Sequence, residues 1–112
     1  MLSKELIATS TIPVVLSILA KGDTYGYALI QKVREISDER IVWTEGMLYP
    51  ILHWIKHKNM IESEWRKEDD KRQRKYYRLR KEGRKALREE QEQWMTVHET
   101  LTSLWKTKLR LT

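Results

Sequence analysis

Apolar residues in the first half of the chain recur three or four positions apart, which is the spacing of an amphipathic helix. The first such segment runs from Leu2 to Leu19, although Pro13 within it is expected to break or begin a helix. We predict that this helix ends at Lys21, with Gly22 as its C-terminal stop.

Two more helices are predicted before the pattern changes. Thr24 is a suitable N-cap for the second helix. The inner face of that helix is predicted to consist of Tyr27, Ile30 and Val33. The third helix runs from about Thr44 to Lys58, and its apolar stripe consists of Leu48, Ile51, Leu52 and Ile55. Its opposite, polar face consists of Glu45, Gly46, Tyr49, His53 and Lys56.

After Met60 the spacing changes to the alternation that is typical of strands. The residues that alternate with charged neighbours are Ile61, Ser63 and Trp65, followed later by Tyr77 and Leu79. We therefore predict two short antiparallel strands joined by residues 67–73.

From Arg80 onward the composition is strongly helical and is interrupted only by Gly83. A seven-residue pattern gives this helix an apolar seam of Leu87, Trp94, Val97, Leu101, Leu104 and Leu111. Glu90 and Lys108 break the seam. We therefore expect a helix that packs in a dimer, without the regularity of an ideal coiled coil.

This order of elements predicts a fold that is mostly α with a two-stranded β-wing. We expect a winged helix-turn-helix domain in residues 1–79 and a long C-terminal dimerisation helix in residues 80–112. In helix-turn-helix folds a recognition helix enters the DNA major groove, and in the winged variant the hairpin touches the adjacent backbone. The pattern thus favours a homodimer that binds double-stranded DNA.

Charge and composition narrow the function further. The 112 residues carry a formal net charge of +6, which favours anionic partners such as DNA, RNA or an acidic membrane surface. Cysteine is absent, and no nucleophile-base set or glycine-rich phosphate loop can be picked out, so we expect no enzyme, cofactor or metal site. The most apolar stretch, Ile12 to Ala20, is shorter than a membrane-spanning helix, and no signal peptide is recognisable. We expect a cytoplasmic protein.

The predicted hairpin is rich in cations interleaved with two tyrosines. Lys71, Arg72, Arg74 and Lys75 precede Tyr76 and Tyr77, and Arg78, Arg80 and Lys81 follow them. A hairpin that faces phosphates requires this composition, and a solvated charged hairpin is the alternative. The acidic residues 68–70 at its tip are expected to point away from the phosphates.

Three stretches together resemble the PadR family of bacterial regulators. They are GDTYGY at residues 22–27, EGMLYP at 45–50, and RKYYRL at 74–79 followed by EG at 82–83. The resemblance covers nearly the whole chain and implies a winged-helix dimer in which the C-terminal helix packs on the partner subunit. It also implies repression that small molecules relieve. Met47 stands where the family commonly has a threonine, so a hydroxyl contact to DNA is lost here.

Ten residues are candidates for DNA binding. They are Tyr25, Thr44, Met47, Tyr49, His53, Lys56, Lys71, Arg72, Arg74 and Lys75. For Tyr25 and Tyr49, packing is the alternative role. His53 and His57 stand four residues apart, as metal ligands do, but Trp54 occupies the place where a metalloprotease motif needs glutamate. We interpret both as surface histidines near phosphates.

Most of the five tryptophans are expected in the core or an interface. Trp94 lies on the predicted dimer seam, and a resemblance to the small, drug-responsive type of PadR regulator implies that it stacks on a planar aromatic effector. Pro13, Val15 and Val97 are expected to line the same site. Ordinary dimer packing of Trp94 is the alternative.

Two other functions stay open at this point. A winged-helix module could bind RNA or a protein partner, and a basic amphipathic last helix could lie on a membrane surface. An exposed polar face on the third helix distinguishes DNA recognition from the first alternative. The second is the weaker one, because the cations of the last helix cluster near its start.

Overall fold

The computed structural model describes residues 1–69 and 72–110, with side chains up to residue 106 in the last helix. The elements are α1 (Lys4–Leu19), β1 (Thr24–Tyr25), α2 (Gly26–Ile36), α3 (Glu45–His57), β2 (Ile61–Lys67), β3 (Gln73–Leu79) and α4 (Lys81–Arg110). The predicted fold class is confirmed, with one addition. The sheet has a third strand, β1, which pairs with β3 in the order β1-β3-β2.

Helix α1 is continuous through Pro13, so the predicted break at this residue is wrong. The helix begins after Ser3, whose side chain accepts a hydrogen bond from the Leu6 amide at 3.1 Å. A proline inside a helix removes one backbone hydrogen bond. Buried residues on both sides of Pro13, including Val15 and Leu16, hold the helix against the core. The helix ends at Leu19, two residues before the predicted end.

Helix α2 begins one residue later than predicted and presents a different face. Thr24 does not cap it, because Thr24 lies in β1 opposite Tyr77. The buried residues of α2 are Gly26, Leu29 and Val33, whereas Tyr27 is 54% exposed. The predicted inner position of Tyr27 is therefore wrong. Tyr49 of α3 packs closely on Gly26, so the side of α2 that carries Gly26 faces the core.

Helix α3 follows the prediction closely. The Thr44 hydroxyl accepts from the Met47 amide at 3.2 Å and caps its first turn. Leu48, Leu52 and Ile55 are buried in the core. The helix stops before Asn59, whose positive φ of 62° is a left-handed conformation that asparagine tolerates.

The wing hairpin packs one face of its sheet on the helices. Its antiparallel register places Ile61 opposite Leu79 and Trp65 opposite Lys75. The buried ends of both strands join a single core with α1, α2, α3 and Leu87 of α4. The outer end of the hairpin extends beyond that core, where the Glu68 amide donates to the Arg72 carbonyl at 2.8 Å. No helix in the described part of the chain is both long and apolar enough to span a membrane.

Candidate nucleic-acid interface

The polar face of α3 is exposed as predicted. Glu45, Gly46, His53 and Lys56 are open to solvent, and Tyr49 is 41% exposed. The Tyr49 ring reaches across to α2, since a Cβ built on Gly26 would lie 2.7 Å from Tyr49 Cζ. Burial, with a contribution from Glu45, raises the pKa of Tyr49. Tyr49 therefore packs against α2 and keeps an exposed surface, and its contact with DNA stays a prediction.

A groove of about 530 Å³ separates the start of α2 and the exposed face of α3 from the wing. Its lining combines aromatic rings with cations: Tyr25, Gly26, Tyr27, Tyr49, Trp65, Arg72, Arg74, Lys75 and Tyr77. Three of the four predicted wing cations line this groove. The fourth, Lys71, lies outside the described residues. The groove therefore has the charge and the aromatic surface that suit a nucleic-acid strand.

The opposite face of the sheet has its cations paired with carboxylates. One oxygen of Asp23 accepts from Arg66 Nη2 at 2.7 Å and from Arg78 Nε at 3.1 Å. Glu64 lies 2.7 Å from Arg66 and 3.3 Å from Arg78. The positive charges of Arg66 and Arg78 are thus largely neutralised.

Tyr25 links the two faces at the β1 edge of the sheet. The Arg74 guanidinium lies over its ring at 4.5 Å, and its ring meets that of Tyr76 edge-to-face at 5.4 Å. The Arg66 guanidinium lies over the ring of Tyr76 at 4.5 Å. Stacking of this kind restricts the long arginine side chains and orients Arg74 at the groove edge.

The remaining predicted residues differ in their accessibility. Thr44 uses its hydroxyl as the helix cap, and Met47 is half-buried and packs against the core. At the acidic tip, the Tyr76 hydroxyl donates to Glu68, which turns this carboxylate back onto β3. Asp70 is outside the described residues. Among the residues that the structure describes, His53 and His57 belong to no group of three or more candidate metal ligands.

Three contributors to this region were missed at the sequence level: Asp23, Tyr27 and Trp65. Asp23 pairs with residues 43 and 55 positions away, and a local pattern carries no trace of such pairing. Tyr27 and Trp65 fall at apolar positions of the helix and strand patterns, so periodicity alone predicts that both are core residues. Their exposure became apparent only once the helix and strand faces were known.

The Asp23 pairing predicts a pH-dependent contribution to stability. Hydrogen bonding from Arg66 is the main cause that lowers the pKa of Asp23 below its usual 3.8. Because the pKa of Asp23 is lower in the folded than in the unfolded state, its ionised form stabilises the fold at any pH above the unfolded-state pKa. This stabilisation is lost as the pH falls through the folded-state pKa. We expect Asp23→Asn to lower the melting temperature at pH 7 and the deficit to shrink below about pH 4. Thermal unfolding across this range measures it, and a deficit of constant size would contradict the pairing.

A second cavity, of about 710 Å³, lies between α1, α2 and α4. Pro13 and Trp94, two of the residues expected at the effector site, line it. Val15 does not, because its side chain is fully buried in the core, and Val14 takes its place. Val97 is not part of the lining either and is exposed further along α4. The Trp94 indole donates to Glu90 Oε2 at 3.0 Å, within the same cavity wall.

Comparison with known proteins agrees with this architecture. The transcriptional regulator PadR-like family matches residues 15–89. A transcriptional regulator from Clostridium thermocellum superposes with a TM-score of 0.83 at 28% identity, over 92% of this chain and 97% of that one. A PadR family transcriptional regulator from Eggerthella lenta is 33% identical, with a TM-score of 0.70 over 90% of this chain and 82% of the other. The family match begins in the last turns of α1 and continues through α2, α3 and the wing to the start of α4, so the chain belongs to the PadR-like family of transcriptional regulators.

Proposed function

We propose that this regulator binds operator DNA as a homodimer, with α3 in the major groove and the wing on the neighbouring phosphate strand. The observation that carries the proposal is the groove beside α3, which Arg72, Arg74 and Lys75 line together with Tyr49 of that helix. A polar helix face next to a cationic wing is the arrangement that base recognition with phosphate anchoring requires. The winged-helix module that binds RNA or a protein is the alternative function.

Selection from a random duplex library tests this function directly. We expect enrichment of an inverted repeat whose half-sites lie about one helical turn, or a multiple of it, apart. The enriched duplex should resist competition by an RNA hairpin of equal length. Equal competition by the hairpin would favour the RNA alternative, and no enrichment at all would favour a protein partner.

We propose that α4 carries the dimer interface, within a dimerisation unit of residues 80–112. An apolar stripe continues from Trp94 along this helix through Val97, Leu101, Leu104 and Trp105, and these four residues are 36% to 63% exposed in the single chain. A stripe of this size on a regulator suits a second copy of the same helix.

Substitutions on α4 test the dimer. We expect the wild type to sediment as a dimer at micromolar concentration and Leu101→Glu to sediment as a monomer, because a charge would be buried in the apolar stripe. Thr96→Glu places the same charge on the opposite side of the helix and should remain dimeric. A monomeric wild type, or identical behaviour of the two variants, would contradict the assignment.

We further propose that the regulator acts as a repressor and that a planar, apolar or cationic molecule releases it by binding at Trp94. This is the behaviour of the small, drug-responsive type that the sequence resembles. In support, the cavity offers the flat indole, the Pro13 ring and the Glu90 carboxylate, although Lys21 and Lys32 also lie in its wall. Because DNA affinity depends on the spacing of the two recognition helices, a ligand that shifts the subunits weakens operator binding.

Fluorescence titration tests the effector site. Planar aromatic cations are expected to quench wild-type fluorescence, and Trp94→Phe should lose most of the quenching. Trp105→Phe, which removes an exposed indole outside the cavity, should retain it. Thermodynamic linkage also requires that operator DNA lower the affinity of the protein for the ligand. Quenching that persists in Trp94→Phe would leave Trp94 as a packing residue of the dimer.

A further inference from the structure

Trp65 is 65% exposed, which makes it the most exposed aromatic side chain among the described residues. It lies in β2 opposite Lys75 of β3, on the sheet face that also carries the buried Ile61. Trp65 is four residues further along the strand than Ile61, beyond the edge of the core. Its indole consequently lines the groove beside α3 instead of packing between the sheet and the helices.

The surroundings of Trp65 distinguish it from an ordinary surface residue. Tyr27 and Tyr49 lie across the same groove, and Lys75 and Arg72 are among the cations that line it. A single exposed apolar side chain is common on protein surfaces, but a group of exposed aromatic side chains in one groove marks a binding site. The charge of the groove selects an anionic partner with flat or apolar parts, which describes a nucleic-acid strand with phosphates, sugars and bases.

We propose that Trp65 is a DNA-contacting residue that packs against the sugar and base edges in the minor groove next to each half-site. This inference rests on the proposed function and adds a contact that no motif assigns. Phosphates held by Lys75 and Arg72 bring the sugars of the same strand against the indole at the groove rim. Apolar side chains that enter the minor groove in this way favour base steps that open or kink easily.

The contribution of the Trp65 indole to DNA binding can be distinguished from that of the cations by its dependence on salt. Because an uncharged side chain releases no counterions, its loss lowers the affinity without changing the dependence of log K on log salt. A residue that merely held the wing in place would act differently. Its loss would also displace Arg74 and Lys75 and would flatten the salt dependence.

The test compares the full-length wild type, Trp65→Ala and Trp65→Phe on the selected duplex at several salt concentrations. We expect Trp65→Ala to bind about tenfold more weakly or worse with an unchanged slope, and Trp65→Phe to recover most of the loss. Hydroxyl-radical footprints should lose minor-groove protection beside each half-site in Trp65→Ala. Circular dichroism checks that the variants are folded.

The outcomes separate the inference from the function on which it rests. Wild-type affinity in Trp65→Ala, or a flattened slope, would overturn the Trp65 contact while DNA binding stands. Failure of the wild type to bind any duplex would overturn the proposed function and the contact together.

Discussion

Gly83→Ala is expected to destabilise the protein by about 2–3 kcal/mol, although alanine is normally the better residue in a helix. Gly83 lies in the first turn of α4, where the chain passes closely over Met60 in the turn between α3 and β2. A Cβ at this position would overlap the Met60 carbonyl oxygen and lie 2.6 Å from Leu79 Cδ1. The Met60 carbonyl also accepts the Arg80 amide at 2.9 Å, so it cannot move aside without weakening that hydrogen bond.

Thermal or urea unfolding measures this effect, with Gly46→Ala as the matched control. A Cβ on Gly46 would meet no atom within 4 Å, and Gly46 lies in the first turn of α3. The control should therefore be neutral or more stable than wild type by up to about 1 kcal/mol. If Gly83→Ala matched Gly46→Ala, the close contact between Gly83 and Met60 would be wrong.

Arg74→Ala combined with Lys75→Ala is expected to flatten the salt dependence of DNA binding. Each phosphate contact contributes about 0.9 to the slope of log K against log salt, so two contacts in each subunit of a dimer amount to at most about 3.6. The two side chains line the groove next to α3, unlike Arg66 and Arg78, which pair with Asp23. Fluorescence anisotropy with a labelled duplex at several salt concentrations measures the slope.

The control for this experiment removes the same charge elsewhere. Arg88 and Lys106 are exposed on the side of α4 away from its apolar stripe. Their double replacement by alanine changes the net charge equally and should leave the slope near the wild-type value. A slope that fell as much in the control would mean that overall charge, and not the wing, determines binding.

The elements that were predicted well have strong periodicity and local end signals. Helix α3 has both, with Thr44 as a cap and three apolar residues on one side. Strand β1 has neither, since two residues cannot display a period, and only the pairing of Thr24 with Tyr77 defines it. The orientation of α2 depended on the contact between Gly26 and Tyr49, which involves two distant segments.

The candidate site was predicted in composition but not in arrangement. Arg74, Lys75 and Arg78 share one strand, yet the alternation of that strand and the partners of each side chain divide them between two faces. Arg78 forms ion pairs with Asp23 and two glutamates, whereas Lys75 lines the groove. The sequence pattern also could not separate neighbouring positions on α1. Val15 is buried in the core, whereas Val14, one position earlier, lines the cavity wall.

Specific duplex recognition by α3 and the wing is the central claim, and a ratio of dissociation constants tests it most directly. The ratio compares the selected operator with a shuffled duplex of the same composition, for the wild type and for His53→Ala combined with Lys56→Ala. We expect a wild-type preference of about 10³ or more, and a much smaller preference in the variant, because it loses side chains on the exposed face of α3. A wild-type ratio near one would contradict the claim.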